Sequence, residues 1–110
     1  MVEESVLDRT YAALADPTRR ALLVALRAGE ARITDLAAPF DMTFAGVSRQ
    51  LKVLEAAGLV RREIRGREHW LTLRLDPLTA AERWIGEQTR FWSSRADALA
   101  ARLRRRARAT

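Results

Sequence analysis

Cysteine is absent from the 110-residue chain and histidine occurs once, at His69. The first absence excludes disulfides, thiolate zinc sites and thiol redox sensing. The second leaves little for a transition-metal site, which wants imidazole or thiolate rather than carboxylates alone. No apolar run approaches the ~18 residues of a membrane span. The N-terminal MVEESVLDR is acidic and has no signal-peptide core, so a cytoplasmic protein without a membrane partner is expected. There is no glycine-rich phosphate loop, no nucleophile–base pair and no ligand cluster, so no catalytic residue, metal or cofactor is assigned and an enzyme is not expected. Internal repeats and low-complexity linkers are also missing.

What is present reads as globular: 48% hydrophobic and 31% charged residues, at a length that suits one domain over 1–110. So small a chain gains from burial against a second copy. The net charge is +6, with pI near 11.3, which favours a polyanionic partner. The excess is local. Residues 1–60 carry 7 basic and 8 acidic side chains, residues 61–75 carry 5 and 2, residues 76–100 carry 3 and 4, and residues 101–110 carry 5 and none. Nineteen of the 20 basic residues are arginine, which can grip phosphate or guanine with two parallel bonds, although a GC-rich genome gives the same bias.

The local signals predict helix, helix, short strand, helix, helix, hairpin, helix. Ser5 can cap a helix over 6–15, with Leu7, Tyr11 and Leu14 on one face. In ADPTRR, Asp16 is an N-cap and Pro17 a first helical residue. That helix should run to Ala28, end at Gly29, and present Ala21, Leu22, Ala25 and Leu26. Residues 31–33 can form a short strand. Thr34 caps a helix over 35–38, stopped by Pro39, and Thr43 caps another over 44–57, ended by Gly58. Two alternating strands surround a turn at Gly66–Arg67, which places Arg65 opposite Glu68 and Val60, Ile64, Leu71 and Leu73 on one face. Asp76–Pro77 opens a last helix reaching past Leu103. A short helix, a turn and a capped helix ended by glycine make a helix-turn-helix over 34–58, and the hairpin over 59–75 is its wing. The fold class expected is mainly α with a small β-hairpin.

On the 44–57 helix, Phe44, Val47, Leu51 and Leu54 share one face. Opposite lie Ala45, Gly46, Arg49, Lys52 and Val53, flanked by Ser48 and Gln50. Small residues let a backbone sink into a DNA groove, arginine can take guanine O6 and N7 together, and the helix N-terminus at Thr43 favours a phosphate. The same residues also fit an ordinary surface helix. Arg61, Arg62, Arg65 and Arg67 suit phosphate or minor-groove contact, or a solvated face.

The segments LADPTRRALLVAL, ITDLAAPFDMTFAGVSRQLKVLEAAGLVRREIRGREHW and LTL resemble the ArsR family of bacterial winged helix-turn-helix repressors, over about 11–75 with a compatible terminal helix. The resemblance implies a homodimer that binds double-stranded operator DNA and represses its own or a neighbouring operon, paired through its first and last helices (1–15 and 77–107). It places recognition positions at Phe44, Ala45, Ser48 and Arg49, with Gln50 where many members have histidine. The expected DNA interface is therefore Thr43, Phe44, Ala45, Ser48, Arg49, Gln50, Lys52, Arg65 and Arg67. Sensor members use a cysteine pair before the recognition helix, or Asp, His and Glu ligands on the last helix. Here the first segment reads TDLAAPF and the last helix has no histidine, so the chain resembles the metal-independent subgroup, often encoded beside START-like proteins. No effector is indicated.

The last helix carries Ala81, Trp84, Ile85, Gln88, Phe91, Trp92, Arg95, Leu99 and Leu103 as one long stripe. One small core can take Trp84 and some neighbours. The remainder fits a partner helix or, alternatively, an aromatic ligand pocket. The expected dimer face is Leu7, Tyr11, Leu14, Phe91, Trp92 and Leu99. The RLRRRARAT tail either complements the helix dipole or reaches DNA backbone. A winged-helix module that binds another protein, with only non-specific nucleic-acid affinity, is the alternative function.

Overall fold

A computed structural model describes residues 2–109, with side chains from Ser5 onward. The elements are α1 (Val2–Leu14), α2 (Pro17–Ala25), β1 (Ala31–Arg32), α3 (Ile33–Ala37), α4 (Phe44–Ala56), β2 (Val60–Arg65), β3 (Glu68–Leu73) and α5 (Asp76–Ala109). The strands form one antiparallel sheet in the order β1-β3-β2. The fold is the expected helical one with a winged hairpin, and the short first strand completes a third position in its sheet.

Local chemistry explains most boundaries. Asp16 accepts the Arg19 backbone N–H and Pro17 takes a position whose missing donor costs nothing. The last turn of this segment tightens into a 3-10 helix over Leu26–Ala28 and stops at Gly29, whose φ of 123° suits glycine. Thr43 accepts the Gly46 N–H, and a Cβ at Gly46 would lie 3.2 Å from both that Oγ1 and the Met42 Cε. Gly58, at φ 75°, turns the chain out of α4. In the hairpin, Arg65 faces Glu68 across Gly66–Arg67, with Gly66 at φ 64° and Arg67 on the negative side, as a turn with glycine first requires.

Several sequence expectations are corrected. Ser5 does not cap α1, which already runs from Val2. Thr34 does not cap α3. That helix starts at Ile33 behind extended Arg32, with no side-chain cap, because Ile33 turns inward to the core instead of extending β1. The buried face of α2 is Leu22, Leu23 and Leu26, while Ala21 and Ala25 are exposed, so the helix is rotated to bring its larger side chains inward. Phe44 is 54% exposed. As the first residue of α4 it lies past the packed layer, and Phe40 of the preceding loop packs against the core. Ile64 is 63% exposed because the hairpin tip extends beyond the core that Val60 and Leu71 enter.

That core joins Ala13, Leu22, Leu26, Ile33, Leu36, Val47, Leu51, Leu54, Leu59 and Leu71. Of α5, only Pro77 and Ala81 are buried. The helix has 34 residues and at ~1.5 Å each runs ~50 Å. The radius of gyration is accordingly 20.6 Å, where a compact chain of this length has about 13 Å.

Candidate nucleic-acid interface

The core face of α4 fixes which residues look outward. Val47, Leu51 and Leu54 are fully buried, so the opposite side of the same cylinder must face solvent. Phe44, Ala45, Ser48, Arg49 and Lys52 line one shallow depression there. Its lining holds two cations, small side chains, one hydroxyl and no carboxylate. Thr43 stands at the helix start, its hydroxyl engaged as cap.

Gln50 sits differently. Its Oε1 accepts from Arg19 Nη1 at 2.8 Å. The rest of that guanidinium closes the end of α1, with Nε on the Ala13 carbonyl at 2.8 Å and Nη2 on the Ala12 carbonyl at 2.9 Å. A cation at a helix C-terminus meets carbonyls that have no partner of their own. Arg19 therefore joins α1 to the middle of α4, and the amide nitrogen of Gln50 is what remains for another partner.

A second arginine holds the other end of α4. Arg62 of β2 grips Glu55 with two bonds of 2.9 Å and reaches His69 Nδ1 at 3.0 Å. Since guanidinium can only donate, Nδ1 is the acceptor and the histidine proton sits on Nε2. His69 thus packs between strands, beside Arg62, and no group of three or more His, Cys, Asp or Glu able to hold a metal exists among the described residues.

The wing arginines divide sharply. Arg65 donates from Nη1 and Nη2 to the two oxygens of Glu30 at 3.1 and 2.8 Å, and from Nη2 to Glu63 at 3.1 Å. It lies 4.9 Å from the Trp70 ring centre, and Arg32 lies 5.9 Å from it. The Trp70 indole N–H is buried without an acceptor, so stacking holds the ring. Arg32 pairs with Asp35 at 3.0 Å and with Glu68 at 2.8 Å. The hairpin register puts Glu68 opposite Arg65, yet each takes a partner from outside the hairpin. The Arg65 side-chain bond holds the Glu30 carboxyl below its ordinary range, and the Glu30 bond raises Arg65 further. Arg61 and Arg67 are exposed and form no ion pair among the described residues.

On the expected dimer face, Leu7, Tyr11 and Leu14 of α1 are half-buried. Tyr11 meets Trp84 edge-on at 6.2 Å. Phe91 and Trp92 also meet edge-on, at 5.3 Å, and remain 51% and 64% exposed, with Leu99 at 56%. They form an open ridge along α5, where Trp92 and Leu99 line a surface depression with Arg95 and Arg102. Arg19, Glu55 and Glu30 went unnoticed in the sequence. Their signal is weak, because each acts through partners 6 to 35 positions away.

Comparison with known proteins agrees with this geometry. A family model described as bacterial regulatory protein, arsR family, matches residues 16–62. The HTH-type transcriptional regulator CmtR of Mycobacterium tuberculosis is 43% identical over 67 residues, covering 61% of this chain and 57% of its own. NmtR of the same organism is 45% identical over 58 residues, 53% of this chain and 48% of its own. The chain thus spans about half the length of these curated relatives. A solved ArsR family transcriptional regulator is 38% identical with a TM-score of 0.79, covering 83% of this chain and 94% of that one. An ArsR-like transcriptional regulator from Rhodococcus sp. RHA1 is 25% identical with a TM-score of 0.78, covering 90% and 93%.

Proposed function

We propose that this chain, which belongs to the arsR family of bacterial regulatory proteins, is a homodimeric, sequence-specific DNA-binding regulator that represses its own or a neighbouring operon. The observation that carries the proposal is the outward face of α4. It is free of carboxylates, carries Arg49 and Lys52 among small residues, and is anchored at its middle by Arg19 and at its end by Arg62. A rigid helix with that face fits the major groove. Ala45 can meet a thymine methyl, Ser48 can bond either kind of base edge, and Arg49 can take guanine with two bonds. Lys52, Thr43 at the helix start and the wing cations would hold the backbone.

The dimer rests on the α5 ridge. Phe91, Trp92 and Leu99 are large, apolar and exposed on a helix that leaves the body, with Tyr11 against Trp84 near its root, Leu7 half-buried on α1 and Leu14 packed on the core. A second copy would cover them and hold two α4 helices at a fixed separation. The whole chain would then act as one winged helix-turn-helix unit flanked by dimerisation helices at 1–15 and 77–107, in the cytoplasm with its DNA. Among the described residues no helix is long and apolar enough to cross a membrane. Metal-independent binding is supported by the lack of cysteine and by His69 being held against Arg62.

The test uses the gene's own upstream DNA, with half-sites about 34–36 Å apart as the target to look for. Wild-type protein should prefer it over a scrambled duplex by orders of magnitude at fixed salt. Arg49→Ala should reduce that preference by about 1–3 kcal/mol per subunit. Equal affinity for both duplexes in the wild type would instead favour a protein-binding module with a merely basic surface.

A further inference from the structure

The wing looks basic in sequence, but its outer face is not. Arg32 and Arg65, both against Trp70, are joined by ion pairs to Asp35, Glu68, Glu30 and Glu63. Two cations meet four carboxylates, so the connected group is net negative. A phosphate approaching this face would be repelled while the group stayed intact. Of the five arginines in residues 61–75, Arg62 is taken up inside the fold, Arg74 leans toward Asp76 at 3.8 Å, and Arg65 is held by two glutamates.

The two glutamates differ in origin. Glu63 lies on the same strand and face as Arg65, two residues earlier, so it follows the arginine wherever the hairpin moves. Glu30 lies 35 positions away, between Gly29 and β1, and its two oxygens take two donors of the guanidinium side by side. Carboxylate and phosphate present arginine with the same two-point acceptor. Both side chains are more than 40% exposed, so the pair is screened by water and contributes little to folding. It can open without dismantling the hairpin. The Arg65 hydrogen bond also holds the Glu30 carboxyl below its ordinary range.

We propose that Glu30 is a built-in competitor of DNA at the wing: it occupies the Arg65 guanidinium in the geometry a phosphate would take, so that Arg65 reaches the backbone only by exchanging Glu30 for a phosphate. The free protein then presents Arg67 and Arg61 as its ready wing cations, and Arg65 adds a contact after docking. The contact is sequence-independent, so Glu30 sets the strength of binding to any duplex and leaves base discrimination to α4. The proposal rests on the DNA-binding reading above, but its test needs no operator.

The experiment measures anisotropy of a random-sequence 30-base-pair duplex across a salt series, with wild type, Glu30→Gln, Arg65→Gln and the double variant. Circular dichroism checks that each is folded. Glu30→Gln should bind about 3- to 10-fold more tightly near ~100 mM salt with the wild-type log–log salt slope, because the bound state makes the same phosphate contacts, whereas Arg65→Gln should flatten the slope by ~1 per subunit. The gain should vanish in the Arg65→Gln background, which separates release of Arg65 from mere loss of a negative charge. An unchanged affinity, a gain that survives Arg65→Gln, an Arg65→Gln slope equal to that of the wild type, or weaker binding would each overturn the competitor role. Weaker binding would make Glu30 a positioning residue for the hairpin instead. Loss of operator preference in the wild type would refute the function and leave these random-duplex results standing.

Discussion

Arg62→Ala should be the most damaging single change in the wing, because the guanidinium is turned inward onto Glu55 and His69. The Arg62 side chain is 15% exposed and that of Glu55 is 27% exposed. Removing the arginine strands the Glu55 carboxylate near the C-terminal end of α4, where the helix dipole is also unfavourable to negative charge. It also deprives His69 Nδ1 of its donor. Breaking a fully buried pair costs about 3–5 kcal/mol and an exposed one about 0–1. With water reaching about a quarter of Glu55, the loss should be about 2 kcal/mol, or a fall of roughly 8–15 °C in Tm for a domain of this size. Glu55→Ala should cost about half as much, because Arg62 keeps His69 and can lead its charged end toward water. The double variant should then be less destabilised than the sum, by about 1 kcal/mol. Urea and thermal unfolding at one fixed protein concentration measure all three. A loss under about 0.5 kcal/mol for Arg62→Ala, or strict additivity, would show that the bonds joining α4 to β2 carry no weight, and the anchored-helix account would fail with them.

Two further outcomes test assembly and sensing. Trp92→Glu should leave a single chain folded, since the ring is already 64% exposed, yet raise the dimer dissociation constant at least 100-fold; sedimentation at micromolar protein would refute the dimer face by finding the variant still dimeric or the wild type monomeric. Zinc, cadmium or arsenite at micromolar levels should not release a preformed DNA complex, because the chain has no thiol and its one histidine is engaged by Arg62; release reversed by a chelator would contradict that.

Most elements carried by short-range chemistry were legible in the sequence, the Ser5 and Thr34 caps being exceptions. The Asp16 and Thr43 caps, the stops at Gly29 and Gly58 and the hairpin register at Arg65 and Glu68 each depend on neighbours within a few positions, and each was found there. The buried Val47, Leu51 and Leu54 were likewise readable from spacing. Rotation and depth were not. Phe44 and Ile64 continue the core pattern of their elements but lie beyond the end of the layer that would cover them, and periodicity gives no such end. The α2 face was displaced because two adjacent leucines compete for one core and a helical wheel cannot choose the tilt. The outward α4 residues grouped as the spacing suggested. Gln50, although on the flank, turned out to be tied to Arg19 through a contact between positions 31 apart, which no local pattern encodes.

Charge was the least legible property, and the reason bears on mechanism. Composition counts arginines; function depends on which guanidiniums are free. Arg19 and Arg62 are fixed by backbone carbonyls and by Glu55, and both hold α4 in place. Arg32 and Arg65 are turned toward carboxylates around Trp70 and set how the hairpin lies against the segment before β1. Arg19 and Arg62 are joints more than grips, whereas the Arg65 pair is exposed and can open. The consequence is a helix whose outward face is positioned from two sides by residues that never need to reach the groove, which is what base discrimination requires of its support. If Arg49 reads a base as proposed, a flexible α4 would lose the alignment that two simultaneous bonds to one base require. By the same logic, a wing with all its arginines free would bind every duplex strongly and add nothing to the choice between them. On the proposed reading, neutralising Arg65 internally while leaving Arg67 exposed at the tip would keep that sequence-independent pull small relative to what α4 would distinguish.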